Sequence, residues 1–299
     1  MRFALVAQRR SETNIRLAAT PCRGIEWSCL TPAEALELLG QGDVALGRLD
    51  VLPTLDGVDD GLWSLGELSA RGVRVLNGPS ALLAAHDKLL TARLLHGAGL
   101  PHPSARIVTV GDPAPAVDGP VVVKPRFGSW GRGVVRCEDQ DALDAHLRGL
   151  ADEPWFRRHG ALVQDLVPPA GYDVRVLVAG GSVVGGIRRV AARGEWRTNV
   201  ALGARREPVV PPAEAQQLAL AAAAAASADL IGVDLLPTAE GWTVLELNGA
   251  VDFTADYSLG RDVFAAVSFE LARTALGCPT LPVTRFDPDE FEEAASLVD

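Results

Sequence analysis

The sequence contains few cysteines, and their placement excludes two kinds of stabilising site. The 299 residues include four cysteines, dispersed at Cys22, Cys29, Cys137 and Cys278. No two of them form a CxxC pair and no histidine stands nearby at ligand spacing, so we expect neither a zinc site nor a disulfide framework. Free thiols are typical of a reducing compartment, and we therefore expect a cytoplasmic protein.

Long apolar runs are missing as well. The opening MRFALVAQRR has an apolar stretch too short for a secretion signal, and no small-residue cleavage site follows it. The most apolar segment, LALAAAAAASADLIGV, includes Ser227 and Asp229 and follows a helix start at 211–214. It predicts a packed helix that runs into a strand, and we expect no membrane association.

The charge balance argues against a nucleic-acid partner. The chain carries 28 basic and 38 acidic residues, a net charge of −10, and its basic residues do not cluster beyond short pairs. Such a surface repels a phosphate backbone. The sequence also contains no HExxH motif and no Ser/His/Asp arrangement, so neither metalloprotease chemistry nor a nucleophilic serine is predicted.

The chain is long enough for more than one domain. Residues 1–86 alternate short apolar runs with helical stretches, the pattern of βαβ units around a parallel sheet. After Asp87 the pattern changes, and we divide the rest into 87–160, which carries a glycine-rich loop, and 161–299, which ends in an acidic segment predicted to be solvated. The expected fold class is α/β, with the βαβ domain followed by two α+β subdomains. The oligomeric state stays open, a homo-oligomer included.

The glycine-rich loop is the segment KPRFGSWGRGV at 124–134, which lies between two apolar strands. A Walker A loop or a dinucleotide fingerprint opens a helix, whereas Val134 begins a strand, so both are excluded. Two interpretations stay open. The segment is either a mobile loop whose N–H groups close over phosphates beside Lys124, or an ordinary hairpin loop.

A hairpin near the C-terminus carries a candidate metal site. Glu246 and Asn248 are two apart in a strand and share one face. If the turn places Leu236 opposite Trp242, Asp234 lies diagonal to Glu246. Neither strand contains a basic residue to neutralise the carboxylates, and oxygen ligands suit Mg²⁺. The alternative is one carboxyl group with a raised pKa and one exposed carboxylate.

Charged residues also lie on the predicted strands between these two features. Asp173 and Arg175 share a face by the period of two, and Arg197 precedes Asn199 in the same way. Together these residues predict a phosphate-binding surface on the strands.

At this point the residues resemble a known family. The ordered segments HDKLLTARLLHGAGLPHP, VVVKPRFGSWGRGV and IGVDLLPTAEGWTVLELNG, with the stretch 162–200 between the last two, resemble the ATP-grasp superfamily. More narrowly the chain is similar to RimK-type amino-acid ligases, which include enzymes that join glutamate or aminoadipate to carrier or ribosomal proteins. The resemblance runs from about residue 77 to residue 276.

The resemblance implies a fold and a reaction. The two α+β subdomains clamp ATP, and the protein is an ATP-dependent carboxylate–amine ligase that works through an acyl phosphate. It adds an amino acid to a peptide, protein or small-molecule carboxylate, with ATP and Mg²⁺, or Mn²⁺ in its place, as cofactors. Alternatives are a free-standing dipeptide or natural-product ligase with the same site, and a non-catalytic ATP-binding protein.

The resemblance also assigns roles to residues. It gives nucleotide binding to Lys88, Lys124, Gly128, Ser129, Gly131, Gly133, Gln164, Asp165, Leu166, Val167, Asp173, Arg197, Thr198 and Asn199. The lysines reach phosphates, the glycine loop closes on them, and the backbone of 164–167 receives adenine. Arg175 and Arg188 act with Lys124 on the transferring phosphoryl group, and Asp234, Glu246 and Asn248 bind the metal.

Two segments depart from the family pattern. Residues 249–253 read GAVDF where the family has a small residue and then Ser-Pro-Gly, and 200–208 lack the paired glycines expected there. Both segments are expected to border the acceptor pocket, so the substrate is not identified by the resemblance. Arg48 and Asp50 end a predicted strand, where α/β sheets bind ligands, and are either acceptor ligands or a salt bridge with each other.

Overall fold

The computed structural model describes residues 2–20 and 25–278, and within these ranges the paired strands form three sheets. The strands are β1 Arg2–Val6, β2 Glu26–Leu30, β3 Val44–Gly47, β4 Arg74–Leu76, β5 Ala105–Val108, β6 Val121–Pro125, β7 Val135–Cys137, β8 Ala161–Asp165, β9 Tyr172–Ala179, β10 Ser182–Val190, β11 Arg205–Pro208, β12 Leu230–Thr238 and β13 Gly241–Asn248. The helices are α1 Glu12–Ala19, α2 Pro32–Leu38, α3 Leu62–Ala70, α4 Pro79–His86, α5 Lys88–Gly97, α6 Gln140–Gly149, α7 Pro154–His159, α8 Ala213–Ala225 and α9 Val263–Ala275.

Two expectations about the whole chain can be compared with the described ranges. Cys29, Cys137 and Cys278 are free thiols, while Cys22 and the acidic C-terminal segment lie outside the described residues. Among the helices of 2–20 and 25–278, none has the length and apolar character needed to cross a membrane.

The first sheet has the predicted βαβ pattern. Its strands are parallel, in the order β2-β1-β3-β4. Phe3, Leu5 and Leu46 have no exposed surface, because both faces of a parallel sheet are covered. The loops that follow β1 and β3 meet at the carboxyl edge of the sheet, and Arg48 lies there.

The second sheet is antiparallel, in the order β5-β8-β6-β7. β6 pairs directly with β7, which confirms that the glycine-rich loop joins two strands. β8, at Ala161–Asp165, pairs with β5 and β6, so this strand belongs to the second sheet although the sequence pattern grouped it with the last unit. The exact domain boundaries stay a prediction.

The third sheet is also antiparallel, in the order β11-β10-β9-β12-β13. Helix α8 covers one face, where Ala219 packs with Val176. Helix α9 covers the other face, where Phe264 lies in the same buried cluster as Phe3 of the first sheet. The first and third sheets therefore share a core, and that core sets the position of the loops between them.

The register of β12 and β13 differs from the sequence-based alignment. The prediction placed Leu236 opposite Trp242, but the observed partner of Trp242 is Pro237. A β-bulge at Leu245 adds one residue to β13, and Asp234 pairs directly with Glu246 as a result. The two carboxylates are cross-strand neighbours and not a diagonal pair.

Candidate functional site

Two cavities meet at residues 128–133 of the glycine-rich loop, which we call the flap. The first cavity lies between the second and third sheets, and its lining includes Lys88, Lys124, Gln164, Asp173, Arg189, Arg197 and Glu246. The second cavity lies beside the carboxyl edge of the first sheet, and its lining includes Asp50, His86, Trp130, Arg206, Asn248 and Asp252. Gly128, Ser129 and Glu246 line both cavities, so the flap and Glu246 stand at their junction.

The first cavity contains both lysines that the chain possesses. Lys124 lies on β6 and is only 7% exposed, and its amine has no hydrogen-bond or ion-pair partner among residues 2–20 and 25–278. Burial lowers the pKa of Lys124 to about 8, with Glu246 opposing the shift and Lys88 adding to it. A buried cation without a partner is costly, which indicates a site for an anion.

Lys88 connects the flap to the third sheet. Its amine donates to the carbonyl oxygen of Gly128 at 2.6 Å and lies 2.7 Å from Oε1 of Glu246. Asp87 caps the helix that Lys88 begins and also pairs with Arg126 at 2.5 Å. The helix start, the root of the flap and β13 are thereby held together.

The flap has the backbone conformation that its glycines allow. Gly131 and Gly133 have φ of +73° and +66°, in the left-handed region that other residues avoid. A Cβ atom on Gly131 would lie 2.8 Å from Oδ1 of Asn199. Arg197 donates to the carbonyl oxygen of Gly131 at 3.3 Å. The flap therefore closes against the segment 197–199, which the sequence had placed near phosphate.

The segment 164–167 lines the far end of the first cavity. The N–H groups of Asp165 and Leu166 donate to backbone oxygens at 2.9 and 3.1 Å, whereas the N–H of Val167 has no acceptor within the described residues. Gln164 is buried, with Nε2 lying 3.3 Å from a ring nitrogen of His102. This end therefore offers a backbone donor to a planar polar ligand.

A buried network of charges joins β9, β10 and β12. Arg189 contacts both Asp173 and Asp234, the latter at 2.7 Å, and Arg175 binds Asp234 at 2.5 and 2.7 Å. Burial opposes ionisation of Asp234, but the two arginines outweigh it and lower its pKa to about 2. The sequence argument that Asp234 lacks a neutralising cation is therefore wrong, because the cations come from neighbouring strands. The alternative of a carboxyl with a raised pKa does not hold at Asp234 either.

Arg188 lies outside both cavities. It pairs with Glu207 of β11 at 2.8 Å, and its guanidinium lies 5.1 Å from the ring centroid of Tyr172. Its neighbour Arg189 lines both cavities, because it stands opposite Asp173 in the β9–β10 register. The alternation of side chains in a strand makes this one-residue difference a change of face. Counting from the β9–β10 turn could not have identified Arg189, because a β-bulge between Val183 and Gly185 shifts the pairing by one residue, and without it Arg188 would stand opposite Asp173.

The predicted metal ligands are brought together in part. Asp234 and Glu246 are cross-strand partners, and Asn248 follows two residues later on the same strand. Asn248 donates through Nδ2 to Gly232 at 3.4 Å, which leaves its carbonyl oxygen without a partner in the described part of the chain. Within the same part no three His, Cys, Asp or Glu side chains form a metal-binding group. The oxygen donors fit a divalent cation in kind, although the arginines hold both oxygens of Asp234.

The second cavity carries unpaired charges of both signs. Asp50 accepts from the N–H of Val51 at 2.7 Å and forms no ion pair with any described residue. Burial raises the pKa of the Asp50 carboxyl. Arg206 is exposed and likewise has no ion-pair partner in 2–20 and 25–278. A ligand with one anionic and one cationic group matches this pattern.

Arg48 is buried beside this cavity, but its partners are not the predicted one. Its Nε donates to Oδ1 of Asn14 at 2.7 Å, and Nη2 lies 3.5 Å from Oδ1 of Asp252. Arg48 therefore connects the first sheet to the segment after β13, and the alternative of a salt bridge with Asp50 is wrong.

Comparisons with known proteins give a consistent family. The family model of the RimK-like ATP-grasp domain matches residues 85–267. The chain is 31% identical over 228 residues to the tetrahydromethanopterin:alpha-L-glutamate ligase of Methanosarcina acetivorans, covering 71% of this chain and 70% of that protein. It is 32% identical over 185 residues to the alpha-aminoadipate–LysW ligase LysX of Sulfurisphaera tokodaii, covering 60% of this chain and 65% of LysX.

A solved structure shows the same fold. The D-alanine–D-alanine ligase of Bacillus anthracis, determined with ATP, superposes with a TM-score of 0.68 at 19% identity, covering 93% of this chain and 98% of that one. At this identity the likeness concerns the fold alone.

Proposed function

This chain belongs to the RimK-like ATP-grasp family, and we propose that its amine substrate is an α-amino acid that binds in the second cavity. The protein is an ATP-dependent ligase that forms an amide bond from a carboxylate and an amine. One observation carries the proposal: the second cavity, which meets the lysine-lined first cavity at Glu246, contains Asp50 and Arg206, and neither forms an ion pair within the described residues.

We assign ATP to the first cavity. Lys124 and Lys88 provide positive charge for the phosphate oxygens, and flap N–H groups close over them. The adenine ring lies against 164–167, where the unpaired N–H of Val167 is a donor for a ring nitrogen. Arg197 holds the flap closed through its contact with Gly131.

A divalent metal accompanies ATP in this family, and we assign it to Glu246, Asn248 and Asp234. The metal is Mg²⁺, with Mn²⁺ as a substitute, since carboxylate and amide oxygens are ligands that both ions accept. Asp234 would join them on release of one of its two guanidinium contacts. When bound, the metal neutralises charge on the phosphate oxygens.

The reaction proceeds in two transfers. A carboxylate oxygen of the first substrate attacks the γ-phosphorus of ATP, ADP leaves, and an acyl phosphate forms. The amine nitrogen of the amino acid then attacks the carbonyl carbon, and phosphate and the amine proton leave. Arg189, which lines both cavities, and Arg175, which lines the second cavity and binds Asp234, stabilise the charge of the transferring phosphoryl group. Arg189 takes the role first given to Arg188.

The charges of the second cavity support an amino-acid ligand. The ammonium group faces Asp50 and a carboxylate faces Arg206, the two charged groups of this cavity that form no ion pair within the described residues. The names of the relatives, a glutamate ligase and an aminoadipate ligase, support an acidic amino acid. The free thiols support a cytoplasmic location for this reaction.

The test is ADP release in the presence of Mg²⁺ and a panel of carboxylate substrates, free amino acids and acidic peptides, with each protein amino acid and 2-aminoadipate supplied in turn as the amine. We expect release that depends on an amino acid and reaches its highest rate with L-glutamate or 2-aminoadipate. Release that is equal with and without every amino acid would contradict the proposed substrate.

A further inference from the structure

The flap separates the two cavities, and its residues face different sides. Gly131 and Arg132 line the first cavity alone, whereas Trp130 lines the second cavity alone. The other flap residues at the junction, Gly128 and Ser129, have little or no side chain. The indole of Trp130 is therefore the main flap surface presented to the second cavity.

Trp130 has an unfavourable backbone conformation. Its φ is +59°, in the left-handed region that non-glycine residues avoid. The side chain is 47% exposed and belongs to no buried hydrophobic cluster of the described chain. Its aromatic-face partner is Arg132, whose guanidinium lies 5.0 Å from the ring centroid. Core packing therefore does not account for a tryptophan here, and strain of this kind is concentrated at ligand-binding segments.

We propose that Trp130 forms the wall of the second cavity against which the amino-acid substrate packs. This inference rests on the proposed assignment of the second cavity to the amino acid. Trp130 lines the second cavity, while the adjacent Gly131 lines the first cavity and lies close to Asn199. One short loop thus contacts both ligands.

A consequence is that the two ligands bind cooperatively. Lys88 donates to the carbonyl oxygen of Gly128, and Arg197 donates to that of Gly131. Lys88 and Arg197 also line the first cavity, where the phosphates are assigned. Phosphates that fix the flap therefore also fix Trp130 over the second cavity. Coupling between binding sites is reciprocal, so each ligand strengthens the other.

The experiment measures L-glutamate affinity by calorimetry, with and without saturating AMP-PNP and Mg²⁺. In the wild type we expect the nucleotide to tighten L-glutamate binding on the order of tenfold. Trp130→Ala should lose this gain and keep AMP-PNP affinity within about twofold, because Trp130 lines the second cavity alone. Trp130→Phe should keep most of the gain. The control Trp63→Ala removes a 72% exposed tryptophan of α3 that lines neither cavity, and should match the wild type.

Two results overturn the inference: Trp130→Ala that retains the nucleotide-dependent gain, or Trp130→Ala that loses AMP-PNP affinity as a Gly131→Ala variant does. If L-glutamate does not bind the wild type, the other protein amino acids and 2-aminoadipate are titrated in its place. If none of these amino acids binds, the second cavity is not the amino-acid site, and this inference fails with that assignment. If an amino acid binds and Trp130→Ala does not change its affinity, the cavity assignment stands and only the role of Trp130 is contradicted.

Discussion

The two cavities differ in which charges have no partner. In the first cavity the buried carboxylates Asp173 and Asp234 are matched by arginines, and the unpaired buried group is the cation Lys124. In the second cavity an anion, Asp50, and a cation, Arg206, both lack an ion-pair partner among the described residues. The first pattern suits a polyanion such as ATP, and the second suits a molecule with both charges. Unpaired charge therefore tells more about a ligand than total charge does.

The largest expected effect comes from Glu246, which lines both cavities. Glu246→Gln keeps the size of the side chain and removes its charge, so the metal and Lys88 both lose a carboxylate. We expect ADP release to fall by a factor on the order of 10²–10³ while the melting temperature changes little. Glu207→Gln is the control, since Glu207 pairs with Arg188 outside both cavities. If Glu246→Gln has a turnover near the wild-type value, the assignment of the metal to Glu246 is contradicted.

Lys124 gives the first cavity a pH dependence that the second should not share. Its amine is charged below a pKa of about 8 and neutral above it, so AMP-PNP affinity should be constant up to that pH and decline as the pH rises further. The decline should approach tenfold per pH unit, as expected when binding requires one proton. Titrations from pH 6.5 to 9.5 measure it. Lys124→Arg stays charged throughout, and an equally steep decline in that variant would assign the effect to another group.

The unpaired charges of the second cavity should affect the amino acid and not the nucleotide. We expect Arg206→Gln and Asp50→Asn each to raise the KM for the amino acid roughly tenfold, with the KM for ATP unchanged, because a lost charged contact is worth about 1.5–3 kcal/mol. Arg205→Gln is a matched control, since Arg205 lies next in sequence, is 73% exposed and pairs with Glu207. Equal effects of the Arg205 and Arg206 variants contradict the assignment.

The smallest effect concerns the flap that the two cavities share. Arg132 is exposed and lies beside two glycines of positive φ, so trypsin should cleave there in the free protein. AMP-PNP with Mg²⁺ should slow that cleavage several-fold, because phosphate contacts offset the entropy lost by ordered glycines. Cleavage products are identified by mass spectrometry. Equal cleavage rates with and without nucleotide would favour the alternative interpretation, an ordinary hairpin loop.

The local sequence pattern was sufficient to predict the position of some of these residues. The strand after Gly133 excluded the helix-opening phosphate loops, and the β6–β7 pairing confirms that reasoning. Period-two spacing placed Asp173 on the cavity side of β9. It could not place Arg188 and Arg189, because their facing depends on the turn and the bulge between β9 and β10. The bulge at Leu245 could not be predicted from the sequence pattern either, since it depends on how β12 and β13 pair.

By itself the sequence determined the parallel sheet of 1–86, the flap between two strands and the family resemblance, because these depend on residues close together in the chain. Only the tertiary structure decided that Arg175 and Arg189 neutralise Asp234, that Arg48 pairs with Asp252, and that Trp130 faces the second cavity. Each of these facts joins segments distant in sequence. The partner of a buried charge is chosen by the packing of whole sheets, which no local pattern encodes.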